Sequence, residues 1–170
     1  MATNNLKYSK TYSIKSSTIK DKVYIFVHFR EEWIETNLPN SICFENDWLK
    51  ISNGIITIKA SNKQSYAWDG CTPKIILFDI VFGTPDGKLD VNTLKPITYY
   101  ASMFHDILYQ FLSYIPISRK QADQIFYLLL KRANFKLAKL YYIAVRIFGY
   151  FYRKSKYKNS NKVIIKSTSW

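Results

Sequence analysis

His105, Asp106 and Tyr109 stand close together in the chain, and Asp123 follows at a distance that a turn and a second helix would span. On a helix, His105 and Tyr109 lie one turn apart on a shared face. Asp106 is rotated by about 100° from its neighbour. An imidazole can take a proton from water, and the carboxylate beside it can ligate a hard cation such as calcium. Asp123 falls at the edge of the next helix's apolar face. From there it can cross to the imidazole, fix its tautomer and stabilise the imidazolium, with water as the nucleophile. Tyr109 can donate a hydrogen bond to that carboxylate. The same side chains suit a satisfied polar knot that fixes helix packing, so the residues themselves leave both roles open.

These groups need two helices to position them. From Lys95 the pattern turns helical, with Pro96 suited to a first helical position. Ile97, Ala101, Phe104, Leu108, Phe111 and Leu112 recur at helical spacing, and Pro116 stops the run. Ser118 with Gln121 three residues later reads as a capping box. Ala122, Ile125, Phe126 and Leu129 form the second buried stripe, and Ala133-Asn134-Phe135 breaks the chain. A third helix is expected from about Lys136 to Tyr152. It would bury Leu137, Leu140, Tyr141, Ala144, Phe148 and Phe151 and turn Lys139, Arg146 and Arg153 outward, which makes it a basic amphipathic helix.

Upstream, the pattern changes to strands. Lys22 to Arg30 alternates, with Val23, Ile25, Val27 and Phe29 on one side and Tyr24, Phe26, His28 and Arg30 on the other. His28 has no metal-ligating neighbour in the sequence and reads as an ordinary strand residue. Asn53-Gly54 is a hairpin signal between Trp48–Ile51 and Ile55–Ile58. Residues 69–94 are rich in turn signals, and Ile75 to Phe82 reads as a short strand or a packed turn. The expected fold is α+β: a small N-terminal antiparallel sheet packed on a C-terminal layer of about three helices. Residues 1–153 would form one domain. Residues 154–170 would be a basic, flexible tail in which Val163-Ile164-Ile165 is able to add a last strand.

With 170 residues, 48% of them hydrophobic, the chain can bury one core, which excludes general disorder. No uncharged run is long enough for a transmembrane helix, and the first residues do not read as a secretory signal. Two cysteines, Cys43 and Cys71, are too few for a disulfide scaffold. The net charge of +13 is placed unevenly: all 12 acidic residues lie between Asp21 and Asp123. The remainder carries only basic charges, among them Lys139, Arg146, Arg153, Lys154, Lys156 and Lys158. Such a field favours an anionic partner: a phospholipid surface, an acidic protein or nucleic acid. Basic residues interleaved with Phe151, Tyr152 and Tyr157 suit phosphate contact with stacking, but no nucleic-acid-binding motif accompanies them. DNA therefore ranks behind a membrane surface and behind virion proteins.

Four segments between residues 65 and 150 resemble a domain family common in phage and prophage genomes. The first is Ser65-Tyr66-Ala67-Trp68-Asp69-Gly70-Cys71-Thr72-Pro73-Lys74, similar to that family's DG[AC][ST]xP segment but with the proline one position early. The others are His105-Asp106-Ile107-Leu108-Tyr109, Ser118-Arg119-Lys120-Gln121-Ala122-Asp123-Gln124-Ile125-Phe126, and Ala144-Val145-Arg146-Ile147-Phe148-Gly149. This resemblance implies a phage-type accessory or virion protein, in the virion or the host-cell cytoplasm, and no particular activity.

A more distant resemblance bears on mechanism. HDxxY followed by an Asp in the next helix is similar to the phospholipase A2 site, including the disulfide-free type on parvovirus capsids. It implies His105 as base, Asp106 as calcium ligand, Asp123 as orienting carboxylate and Tyr109 as its support. The glycine-rich calcium loop of those enzymes has no counterpart here, so Asp69 would supply a side-chain oxygen instead. Equally, Asp69 would simply cap a turn at Gly70. The alternative to a calcium-dependent lipid hydrolase is a non-catalytic phage structural protein with a basic docking surface.

Overall fold

The computed structural model describes residues 8–9, 26–68, 70, 76–77, 80–81, 89–152, 157–158 and 161–170. The chain is α+β, with antiparallel sheets packed against three helices that follow in sequence. A five-stranded sheet holds β3 (Glu32–Thr36), β4 (Phe44–Glu45), β5 (Leu49–Ser52), β6 (Ile55–Ile58) and β10 (Ile165–Thr168), in the order β10-β3-β6-β5-β4. A three-stranded sheet has β7 (Ser65–Trp68) between β1 (Tyr8–Ser9) and β2 (Phe26–His28). β8 (Ile76–Leu77) and β9 (Ile80–Val81) pair as a small hairpin, which answers the ambiguity over Ile75 to Phe82 in favour of strands.

The hairpin between β5 and β6 turns where the sequence predicts. Asn53 and Gly54 both have positive φ, 51° and 76°, as a two-residue loop with the twist of its flanking strands requires. A side chain at Gly54 would also meet the Thr36 carbonyl oxygen at 2.8 Å. Period-two alternation puts Ile34, Ile51, Ile56 and Ile58 inside. They share one apolar cluster with Phe104, Ile107, Leu108 and Leu112 of α1 (Tyr99–Gln110) and with Ile125, Phe126 and Leu129 of α2 (Arg119–Arg132).

All six apolar positions expected on the first helix are buried, Ile97, Phe111 and Leu112 lying just outside α1 itself. It starts later than expected. Tyr99 is its first residue and Thr98 its N-cap, while the Pro96 carbonyl accepts from the Tyr99 amide in a preceding turn. Aromatic packing fixes this start: the Tyr99 ring meets Trp68 edge-on at 4.8 Å, and Trp68 donates its indole N–H to Ser102 at 3.0 Å. α2 begins on the expected capping box, in which Ser118 and Gln121 satisfy each other's backbone amides. Asn134, at φ 53°, marks the expected break before α3 (Ala138–Tyr152).

Three elements add to or differ from the sequence reading. In β2, for which the alternation chose neither side, the inward residues are Phe26 and His28, while Phe29 is exposed. The register opposes Phe26 to Trp68 and His28 to Tyr66, so the aromatic face of β7 selects the other side of the strand. In α3 the inner face carries Ala138 and Val145, which join the core, together with Arg146 and Gly149, whereas Leu137, Leu140 and Phe148 are exposed. Small residues allow α3 to approach α2 closely, and the large ones are left outside. Third, residues 165–168, expected within a flexible tail, form β10 on the edge of β3, close to the strand that Val163-Ile164-Ile165 suggested. Trp170 then stacks on Tyr100 at 3.8 Å.

Candidate functional site: a buried carboxylate shared by three helices

Asp123 is fully buried where α1, α2 and α3 meet. One of its oxygens, Oδ1, lies 3.1 Å from His105 Nε2 and accepts the Tyr109 hydroxyl at 2.5 Å. The other, Oδ2, accepts Arg146 Nη1 at 2.7 Å. The expected crossing from α2 to the imidazole is therefore present, and Tyr109 supports the carboxylate as expected. The one-turn spacing of His105 and Tyr109 puts their rings 4.2 Å apart, and Phe126 closes on the imidazole from α2 at 4.8 Å.

The electrostatics follow from burial. A carboxylate without access to water needs nearby donors and a compensating charge. Tyr109 and Arg146 meet that need together with His105. Burial pushes the Tyr109 phenol well above its ordinary pKa, and the Asp123 charge raises it further, so the hydroxyl remains a donor. A carboxylate on Nε2 favours the tautomer with its proton there, which leaves the lone pair on Nδ1. The His105 side chain keeps 13% of its surface exposed, so the ring is not sealed from solvent.

Arg146 departs from its expected place. It does not simply face an anionic partner: its guanidinium is committed to Asp123, with 31% of the side chain still exposed. Arg119 donates to the Arg146 carbonyl at 3.0 Å, tying the start of α2 to α3. Gly149 lets these groups close up, since a Cβ there would lie 2.5 Å from the Tyr109 hydroxyl and 3.1 Å from Arg119 Nη1. The sequence held a signal for this. Arg146 is the only charged residue between Leu140 and Tyr152, and a lone cation in an apolar run predicts a buried partner.

Asp106 is half-buried on α1 beside His105. Asp69, its expected companion on calcium, lies outside the described residues, as do Arg153, Lys154 and Lys156. Lys139 and Lys158 are exposed. Among the described residues no three His, Cys, Asp or Glu side chains gather as metal ligands.

Sequence reading missed a second polar cluster. Glu32 is buried and receives Arg30 Nε at 2.7 Å and the Ser169 hydroxyl, with His28 Nε2 at 3.4 Å. The other nitrogen of His28 lies 3.0 Å from the Tyr99 hydroxyl. Burial pushes the Glu32 carboxyl upward, but His28, Ser169 and Arg30 outweigh it and hold the group below its ordinary value. Spacing gave a hint, because His28 and Glu32 are near in sequence, but Ser169 arrives from the far end of the chain.

No family model, curated protein or solved structure matches this chain.

Proposed function

We propose that this chain is a phage-type accessory or virion protein that hydrolyses an ester bond of a phospholipid, with His105 as general base. The observation that carries the reading is the contact of His105 Nε2 with the buried Asp123. In this reading Nδ1 takes a proton from water, and the resulting hydroxide attacks the ester carbonyl. The proton then passes to the departing alkoxide as the C–O bond breaks, which releases a fatty acid and a lysolipid. Asp123 stabilises the transient imidazolium, while Tyr109 and Arg146 hold the carboxylate in place. The phospholipase A2 resemblance assigns Asp106 to calcium, and Asp69 would supply a further side-chain oxygen in place of the missing glycine-rich loop.

The test is fatty-acid release from anionic phospholipid vesicles with calcium or with chelator, comparing wild type with His105→Ala. The reading expects release that needs both calcium and His105, with loss of at least about 10²-fold in the variant. No release from folded wild type in either condition would overturn it.

A second reading is favoured by Arg146. In this reading the cluster is purely a fastener in which one carboxylate ties three helices together. The chain would then be a non-catalytic phage structural protein that docks on an acidic protein, a membrane surface or DNA through its basic C-terminal half. His105→Ala would in that case change stability and leave no catalytic difference to measure.

A further inference from the structure

α3 presents an unusual outer face. Among its described residues five are exposed, Lys139, Leu140, Ile143, Ile147 and Phe148, and four of these are apolar. Leu140, Ile143 and Ile147 fall within about 60° of one another around the axis. Leu137 extends the strip at the helix start and is 46% exposed. A surface helix ordinarily turns polar residues to water. Here Ala138 and Val145 lie on the inner face and the larger aliphatic side chains lie outside.

The charge beside this strip has one sign. Lys131 and Arg132 end α2, Lys136 and Lys139 flank the start of α3, and all are exposed. No acidic residue follows Asp123, which is itself buried and paired. A second copy on the same strip would bring two such basic fringes toward each other in a two-fold interface, which is unfavourable. An apolar strip bordered by cations fits an interface that is apolar within and negative at its edge. Among the described residues no helix is long and apolar enough to cross a membrane, so α3 would lie in the plane of such a surface.

We infer that the outer face of α3 is a seat for an anionic phospholipid surface, with Leu140, Ile143 and Ile147 entering the acyl boundary and Lys136 and Lys139 meeting phosphate groups. This seat does not depend on hydrolysis. A chain with an inert His105 site would bind in the same way.

The experiment is vesicle flotation of the full chain, in chelator, on ether-linked lipids that cannot be hydrolysed as esters. Phosphatidylcholine alone is compared with a mixture containing phosphatidylglycerol. Wild type is expected to float with the mixture at least about tenfold better than with phosphatidylcholine, and to lose several-fold between about 50 mM and about 300 mM salt. Ile143→Gln/Ile147→Gln, which leaves the charge unchanged, should weaken flotation roughly tenfold while the circular dichroism of the fold is kept. Should that pair unfold, Ile147→Gln alone, at a position 55% exposed, carries the same test. Lys136→Gln/Lys139→Gln should weaken it by at least about fivefold. Absence of wild-type flotation, equal flotation with both lipids, or folded Gln variants that float like wild type would each overturn the inference. So would a wild-type dimer that the Ile variants dissociate.

Discussion

Asp123 has no contact with water, so every change around it is a change in how a buried charge is satisfied. The tightest approach is that of Gly149 to the Tyr109 hydroxyl. Gly149→Ala should gain about 1 kcal/mol of helix propensity but drive a methyl group into the oxygen that serves Asp123. We expect net destabilisation of about 1–2 kcal/mol in the wild type. With Tyr109→Phe the oxygen is gone, and the same substitution should become neutral or stabilising, a coupling of about 1 kcal/mol or more by urea denaturation of the four proteins. Equal effects in both backgrounds would mean that Gly149 is not held small by this contact. At this scale the sequence was legible where local geometry decides. The one-turn spacing of His105 and Tyr109 and the capping box at Ser118 fix the phase of both helices, and Asp123 follows from that phase. Arg146 was misread because the seven-residue recurrence of Lys139, Arg146 and Arg153 suggests one outward face, whereas a buried carboxylate on another helix claims the middle member.

Among the elements, the meeting of β2, β3 and β10 turns on Glu32. Its carboxyl is held below the ordinary value of 4.5, so ionised Glu32 contributes stability above that pH, and the contribution is lost as pH falls through the folded-state value. Glu32→Gln should therefore cost about 1–3 kcal/mol near pH 7, through weaker bonds to Arg30 and Ser169. The gap to wild type should narrow as pH falls through the folded-state value, below which Glu32 is itself neutral. Melting midpoints of both proteins across this range check it, and a gap independent of pH would show that the charge is not what stabilises the junction. The strands and helices were largely legible, since Asn53-Gly54, the β6 alternation and the α2 stripe each carry their own local signal. What the sequence left open in β2 and misjudged in α3 was the side on which a face is buried. β2 has apolar residues on both sides, and only Trp68 and Tyr99, both distant in sequence, select Phe26 and His28. In α3 both sides are apolar, and the choice fell to the small side chains that permit close packing on α2.

Across the whole molecule the last ten residues add a second tie between the five-stranded sheet and the helices, beside the apolar core they share. The Val163 amide reaches Gln124 of α2 at 3.3 Å, and β10 pairs with β3. The Ser169 amide donates to the Trp33 carbonyl at 3.0 Å, and the Trp170 ring lies on Tyr100 and within 5.6 Å of the Phe104 ring. A composition of Lys, Ser and Asn ahead of a short apolar run cannot reveal this. The partners stand from 39 residues earlier, at Gln124, to 136 residues earlier, at Trp33, and a strand added at an edge needs only a few residues of its own. Trp170→Ala tests whether these contacts act as one clasp. It removes an aromatic stack that is only part-buried, so we expect a loss of about 2 kcal/mol, below the range for a core aromatic. If the clasp is cooperative, amide exchange should quicken both in β3 and in the first turns of α1, because loosening Trp170 also frees Ser169 from Trp33 and Glu32. Faster exchange confined to β10 would show that the sheet and the helical layer are joined by their apolar core alone, with the C-terminal strand laid on an edge that is stable without it.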